Sequence, residues 1–125
     1  MKYVTITNLN QPSLLPVLAR CCQSFFCQLR GLMFTDSLPA GQGLLLIQKH
    51  DSRLGSSIHM MFMNYDIAVV WFNSDLEVVD ACLAKRWQPY YAPRRPACYV
   101  LELPATRLDD FHIGDKVSLE EAWLD

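Results

Sequence analysis

The stretch that decides the fold is residues 59–72, which read HMMFMNYDIAVVWF. In its second half, residues 67–72, nearly every side chain is β-branched or aromatic, and this composition is typical of a buried strand. The same stretch holds His59 and Asp66. A polar side chain beside a buried strand needs a partner or solvent, so this pair is either a satisfied feature of the core or part of a site.

Short strands account for most of the chain on either side of this stretch. Apolar runs separated by turn residues, at the spacing of a β-sandwich or barrel, predict strands at residues 2–8, 44–47, 58–63, 67–72, 77–84, 98–103 and 116–119. Residues 48–57 are polar and contain Gly55, so they are predicted to form a loop.

Residues 13–29 carry a long helical pattern. Ser13 is a suitable N-cap, and apolar residues three or four positions apart form one stripe. Gly31 is the expected C-terminal stop, and a second, short helix is predicted within residues 104–112. The predicted fold is mainly β, a jelly-roll-like sandwich or an open antiparallel barrel with one N-terminal helix and a short C-terminal helix, in a single domain over residues 1–125.

Composition and charge limit the classes of function. Of the 125 residues, 51% are hydrophobic and 19% are charged, which excludes disorder as the main state. The net charge of −2 argues against global attraction to nucleic acid or to a membrane surface. No apolar run is long enough to span a bilayer, and the first residues lack the pattern of a secretory leader. The sequence thus predicts a soluble cytoplasmic protein.

The cysteines and histidines give no indication of a metal or redox site. None of the five cysteines belongs to a C-x-x-C pair. Because an odd number is unsuited to a disulfide scaffold, reduced core thiols are the expected state. His50, His59 and His112 lack the spacing of a metal site. No cofactor and no metal are predicted.

Several segments in a definite order carry a family resemblance: RGLM at 30–33, the turn and strand at 38–47, SIH at 57–59 with Met63, the hairpin at 69–79, YVLELP at 99–104 and IGD at 113–115. In order and spacing they resemble the domain-of-unknown-function family DUF192, a widespread group of small prokaryotic proteins. The resemblance covers about residues 20–119. It implies a mainly β fold of jelly-roll-like type, and it supplies no activity because the biochemical function of that family is not established.

The chain departs from the family pattern at the start of the hairpin. Family members usually carry a proline, an apolar residue and then an aspartate there, where this chain has Asp66, Ile67 and Ala68. The family's aspartate thus falls on Ala68, so the resemblance implies that this chain has moved that carboxylate or lost it. Because positions two apart in a strand share a face, Asp66 offers a carboxylate on the same side, displaced by up to about 7 Å.

His59 and Asp66 are the candidate catalytic residues. A His–carboxylate pair can orient an imidazole for proton transfer, whereas the structural interpretation is a hydrogen bond that closes the strand end. Ser56 and Ser57 are near in sequence but lack the G-x-S-x-G context of a nucleophile.

Residues 85–96, KRWQPYYAPRRP, combine four cations with aromatic residues and contain no acid. Such a segment can hold an anion and stack a base or sugar, or it is a covering loop whose aromatic side chains pack on the sheet. Glu102 is expected to face solvent or to pair with an arginine of this loop. The predicted ligand-binding residues are Arg30, His59, Asp66, Lys85, Arg86, Trp87, Tyr91, Arg94 and Arg95.

Together these features predict binding of a small anionic or sugar-like ligand, or of a protein partner, without a strong nucleic-acid signal. One alternative is a small enzyme that uses His59 and Asp66 for proton transfer. The other is a structural or interaction module that lacks a pocket and exposes an apolar patch instead.

Overall fold

The computed structural model describes residues 2–122, and strands dominate this part of the chain. The strands are β1 Tyr3–Asn8, β2 Val17–Cys22, β3 Gln42–Ser52, β4 Ile67–Phe72, β5 Val78–Ala84, β6 Ala97–Pro104 and β7 Val117–Ala122. The helices are α1, at Phe25–Arg30, and a 3₁₀ helix at Ala105–Asp110. The predicted mainly β composition is confirmed, and so is the short helix near the C-terminus.

All seven strands form one mixed sheet in the order β5-β4-β6-β3-β2-β1-β7. β2 and β3 pair in parallel, and the other five pairings are antiparallel. The sheet curls so that its two edges meet at one point, where Glu77 and Lys116 form an isolated bridge and an ion pair of 3.0 Å. Among the described residues this contact is confined to the ends of the edge strands, so the barrel stays open.

Both faces of the sheet are apolar, which explains the continuous apolar run in β4, where all six residues are buried. An inner cluster takes side chains from every strand, and those from β4 are Ala68, Val70 and Phe72. An outer cluster takes the alternate β4 residues together with loop residues that cover the sheet, including Ile67, Val69, Trp71, Leu32, Ile58, Met60 and Met63. Loop residues and α1 gather on this outer side of the sheet.

The predicted helix at residues 13–29 is wrong over most of its length. Its middle is the strand β2, and only α1, at its end, is helical. Val17 and Ala19 are fully buried in the inner cluster, with β1 on one side and β3 on the other. Pairing with two neighbours therefore overrides the helical spacing of the apolar residues.

The N-cap of α1 is Ser24 and not Ser13. The Ser24 hydroxyl oxygen accepts a hydrogen bond from the Cys27 amide at 3.1 Å, which is the usual N-cap arrangement. Gly31 ends the helix as predicted, with φ of 49° and ψ of −122°, a backbone conformation that glycine adopts and other residues avoid.

The predicted strand at residues 58–63 is also wrong. Ile58 makes only an isolated bridge, to Tyr91. The chain then turns, and Met60 and Met63 are both buried in the outer cluster. Two residues three positions apart do not share a face of a regular strand, so this segment is a folded cover over the sheet.

The predicted loop at residues 48–57 is shorter than expected. β3 continues to Ser52, which pairs with Ala97 beyond an irregularity in the ladder. The polar composition of this end reflects its exposure: Lys49 and His50 face solvent while the backbone stays in strand geometry.

The expectation of reduced thiols is wrong for two of the five cysteines. Cys22 and Cys27 form a disulfide that joins the end of β2 to α1, with Cα atoms 5.6 Å apart. Cys21, Cys82 and Cys98 are free. Burial raises the pKa of Cys82 to about 11, so this thiol stays protonated and unreactive near neutral pH.

Candidate functional site

A pocket of about 270 Å³ opens on the outer side of the sheet. It is bounded by α1, by the cover at residues 58–63 with Gly55 and Ser57 before it, and by the middle of the long loop. Its apolar lining is Phe25, Leu29, Leu32, Met33, Leu46, Ile58, Met60, Met63 and Pro89, and its polar lining includes Gln28, Arg30, Gln48, Ser57, His59, Tyr90 and Glu102. Two other hollows, of about 320 Å³ each, have no buried titratable side chain among their described lining residues. We call the first cavity the Glu102 pocket.

Glu102 is a buried carboxyl group without a hydrogen-bond or ion-pair partner among the described residues. It lies in β6, between β3 and β4, and only 5% of it is exposed. Within residues 2–122 its carboxylate makes no hydrogen bond and no ion pair. Every described side-chain oxygen or nitrogen that is sealed from solvent does have a hydrogen-bond partner. The Glu102 oxygens therefore keep a slight exposure, and because Glu102 lines the pocket, we take that exposure to be toward the pocket.

Burial raises the pKa of Glu102 to about 7. The cause is desolvation, because the ionised carboxylate loses most of its contact with water and no cation among residues 2–122 compensates for it. Near neutral pH the carboxyl is therefore present in both forms, so it can donate or accept a hydrogen bond. A buried titratable group that faces a cavity is a physical indication of a functional site.

α1 forms one wall of the pocket and is held in place from several sides. Besides the disulfide, the Gln28 amide nitrogen donates hydrogen bonds to the Cys22 carbonyl at 3.1 Å and the Ile47 carbonyl at 3.0 Å. The side-chain nitrogen Nε2 of Gln48 in turn donates a hydrogen bond to the side-chain oxygen of Gln28 at 2.9 Å. These contacts fix a helix of only six residues, which would be unstable by itself.

His59 joins the cover of the pocket to the end of α1. Its Nδ1 accepts a hydrogen bond from the Met61 amide at 3.2 Å, and its Nε2 lies 2.8 Å from the Leu29 carbonyl oxygen. A backbone amide can only donate and a carbonyl can only accept, so this arrangement requires the neutral ring with its proton on Nε2. Both ring nitrogens are thus engaged by the backbone.

Asp66 forms its hydrogen bonds with other groups than His59 does. Its carboxylate accepts hydrogen bonds from the Arg86 amide at 2.9 Å and from Arg86 Nε at 3.1 Å. Those hydrogen bonds lower the pKa of Asp66. His59 lines the Glu102 pocket and Asp66 does not. His59 is held by backbone groups and Asp66 by Arg86. Proton transfer by the His59–Asp66 pair therefore stays a prediction.

The remaining predicted ligand-binding residues divide between the pocket and the outer surface. Arg30 lines the pocket near its exposed edge. Lys85, Arg86, Trp87, Tyr91, Arg94 and Arg95 do not line it; from the long loop only Pro89 and Tyr90 do so among the described residues. A ligand-binding role for these six residues stays a prediction.

Several residues of the long loop contact the sheet or one another, as expected for a loop that covers the sheet. Arg94 Nε lies 3.5 Å from a carboxylate oxygen of Asp80, which is buried, and the Arg94 amide donates to the other oxygen at 3.0 Å. The Tyr91 hydroxyl accepts a hydrogen bond from the Lys85 amide at 2.9 Å, and its ring packs against the outer cluster. The loop is therefore anchored to the sheet at several points.

Phe34, Phe62 and Trp87 form an exposed aromatic cluster beside the pocket. The ring centroids are 5.4 Å apart between the two phenylalanines and 5.1 Å apart between Phe62 and Trp87. All three residues have positive φ, between 61° and 68°, which is strained for large side chains. Trp87 was predicted from sequence to contact a ligand, and the structure places it on this surface.

Glu102 was missed as a site residue, although the sequence carried a signal for it. It was expected to face solvent or to pair with an arginine of the long loop, and both expectations are wrong. Its strand, residues 97–104, is apolar on both faces. A glutamate in the middle of such a strand is buried whichever way it points, and this reasoning would have identified it.

Two kinds of site have no support in the described part of the chain. Within residues 2–122 no three His, Cys, Asp or Glu side chains come together as a metal site would require. In the same residues no helix is long and apolar enough to cross a membrane.

Comparison with known proteins points to one family. The model of DUF192, described as "Uncharacterized ACR", matches residues 6–119. A UPF0127 protein of Thermococcus sibiricus is 36% identical over 103 residues, which are 81% of this chain and 65% of that protein. A UPF0127 protein of Thermococcus gammatolerans is 38% identical over 97 residues, or 76% and 61%. The chain thus spans less than two thirds of the length of these two relatives.

Two solved structures share the fold. A protein of Sinorhizobium meliloti that is proposed to be a transcription regulator superposes with a TM-score of 0.81, at 16% identity, over 94% of this chain and 92% of that one. A protein of unknown function from Novosphingobium aromaticivorans gives a TM-score of 0.78, at 21% identity, over 93% and 83%. At these identities the similarity concerns the fold alone.

Proposed function

The chain belongs to the DUF192 family, which is described as uncharacterised, and we propose a function from its pocket: the protein binds a small molecule through Glu102. The observation that carries this proposal is a carboxylate that is 5% exposed, has no partner within residues 2–122 and opens into a cavity. An unpaired charge in such a place lowers the stability of the fold. A ligand that donates a hydrogen bond or carries a positive charge would remove this cost.

The form of the cavity supports the proposal. Ligand sites are concave, mostly apolar and furnished with few polar groups, and the Glu102 pocket has this composition. Its volume of about 270 Å³ lies just below the roughly 300–1,000 Å³ that is usual for such sites. A ligand of few heavy atoms fits this volume better than a nucleotide does.

The test uses the methionine methyl groups of the pocket. Met33, Met60 and Met63 line it, whereas Met61 does not. In protein with labelled methionine methyl groups, a panel of small amines, alcohols, sugars and carboxylates is titrated while the methyl resonances are followed. A ligand of the pocket moves the first three resonances and leaves that of Met61 in place.

Matched variants tie such a response to Glu102. Glu102→Gln removes the charge at nearly constant shape, and Glu120→Gln makes the same change at an exposed position of β7. The proposal requires binding to weaken in the first variant and to be kept in the second. A panel in which no compound moves the pocket methyl groups contradicts it. A protein partner and proton transfer by His59 and Asp66 stay predictions, since no described contact carries either.

A further inference from the structure

We propose that the Glu102 pocket selects a primary ammonium group at the end of a short apolar chain or ring, with the ammonium on the Glu102 carboxylate and the apolar part against the methionines. This inference rests on the proposed function, which supplies the pocket, and goes further by naming the class of ligand. It follows from which polar groups of the pocket are free, from the charges around it and from the chemistry of its walls.

The polar groups of the pocket other than Glu102 are mostly occupied. The Gln28 side chain is bonded to two backbone carbonyls and to Gln48. The Ser57 hydroxyl donates to the Leu54 carbonyl at 2.7 Å. Both nitrogens of His59 are engaged by the backbone. A polyol would bury several hydroxyl groups without partners here, whereas a ligand with a single polar head needs only Glu102.

The charges around Glu102 favour a cation over an anion. The titratable groups around Glu102 in the described part of the chain are Arg30 on α1, His59 in the cover, Tyr65 just after the cover and Tyr90 in the long loop. His59 is neutral in its observed hydrogen bonds, and Tyr65 is a phenol whose pKa burial raises further. Arg30 is exposed at the edge of the pocket and makes no ion pair with Glu102. The ionised carboxylate therefore has no countercharge, and an ammonium group would supply one.

The walls favour an apolar body. Met33, Met60 and Met63, with leucine and isoleucine side chains beside them, surround the space over Glu102. Methionine side chains are flexible and polarizable, so they adapt to linear and ring-shaped apolar groups alike. The cavity of about 270 Å³ limits this body to a short chain or one ring.

The ionisation of Glu102 gives the proposal a pH dependence with a definite sign. Because burial raises its pKa to about 7, an ammonium ligand binds the form that is lost on acidification. Its affinity should fall by about ten-fold between about pH 8 and about pH 6. A carboxylate ligand needs the protonated form as a donor, so its affinity should change in the opposite direction, and that of an alcohol should change little.

The experiment compares three probes of the same length: pentylamine, n-pentanol and pentanoate. Each is titrated into the labelled full chain, with its disulfide intact, at about pH 6 and about pH 8. The methyl resonances of Met33, Met60 and Met63 report pocket binding, and that of Met61 serves as the internal reference. The same titrations are repeated on Glu102→Gln and on the control variant Glu120→Gln.

At the higher pH, pentylamine is expected to bind more tightly than the other two probes, and its affinity should fall about ten-fold at the lower pH. In Glu102→Gln the advantage of pentylamine and its pH dependence should both disappear. In Glu120→Gln both should be kept. If n-pentanol or pentanoate binds more tightly and its binding weakens in Glu102→Gln, the ligand class is wrong and the proposed function stands. If binding occurs but Glu102→Gln leaves it unchanged, the proposed function fails together with the inference. If none of the three moves the pocket methyl groups, the proposed function fails together with the inference.

Discussion

Gly31, at the end of α1, lies next to Glu102 of β6, and a Cβ on Gly31 would be 3.6 Å from Glu102 Oε1. The glycine has φ of 49°. The same residue thus ends the helix and brings bare backbone next to the buried carboxylate. Its neighbours Arg30 and Leu32 both line the pocket, so the conformation of Gly31 sets the shape of that wall.

Replacing Gly31 by alanine should destabilise the protein through the backbone and not through a collision. At 3.6 Å the added methyl group makes an ordinary contact, but its positive φ costs about 2 kcal/mol in a residue with a Cβ. We expect the midpoint of thermal unfolding to fall by about 8 °C. Gly41→Ala is the control, since its Cβ also meets a neighbour at 3.6 Å without a positive φ. Equal effects of the two substitutions would contradict this explanation.

Glu102→Gln should stabilise the protein at alkaline pH. In the folded state the pKa of Glu102 is raised from 4.5 to about 7, so the folded chain holds this proton more tightly than the unfolded chain. The resulting contribution to stability is complete below about pH 4.5 and is lost as the pH rises through about 7. At about pH 8 the free energy of unfolding of Glu102→Gln should exceed that of the wild type by about 3 kcal/mol, which corresponds to about 12 °C in unfolding midpoint.

The measurement for Glu102→Gln is a series of thermal or urea unfolding curves across this pH range. The variant and the wild type should coincide at about pH 4 and diverge above about pH 6. Glu120→Gln, at an exposed position, should follow the wild type throughout. A constant difference at every pH would show that the effect comes from shape and not from ionisation.

The sequence predicted correctly those strands in which the residues on both faces are buried, and those in which buried and exposed residues alternate regularly. β4 is the clearest case, because its neighbours β5 and β6 leave no polar position in residues 67–72. β2 failed for a physical reason: Val17 and Ala19 are spaced for a strand, while apolar residues before and after them complete a helical stripe. Only pairing with β1 and β3 decides between the two periods.

The site was harder to predict than the fold. Arg30 and His59 were identified and do line the pocket, but they were chosen for charge and chemistry and not for their location. Glu102 was expected to face solvent or an arginine of the long loop, which requires an open outer face of β6. In the structure Met60 and Met63 of the cover are buried in the same outer cluster as Val100 of β6. This covering depends on long-range packing, and the sequence predicted a strand at residues 58–63 instead.

His59→Ala should weaken the contact between the cover and α1. Two hydrogen bonds, to the Leu29 carbonyl and from the Met61 amide, are lost at about 1 kcal/mol each. We expect a loss of about 2 kcal/mol in the free energy of unfolding, with faster amide exchange in α1 and in the cover. His50→Ala, on the exposed end of β3, is the control. Unchanged stability together with lost turnover of some substrate would instead favour the predicted proton transfer.

Reducing the Cys22–Cys27 disulfide should loosen α1 more than the sheet. The bridge closes a loop with a sequence separation of 5, for which loop-closure entropy gives a stabilisation of about 2 kcal/mol. Hydrogen exchange should accelerate at the Gln28 and Gly31 amides, which donate to the carbonyls of Ser24 and Cys27, and stay slow in β4. The double variant Cys22→Ser with Cys27→Ser should show the same faster exchange as the reduced wild type, and adding a reductant should not change it further. The control is Cys21→Ser, which replaces a free cysteine and should respond to reductant as the wild type does. Equal acceleration in α1 and β4 would show that the bridge stabilises the whole fold and not the wall of the pocket.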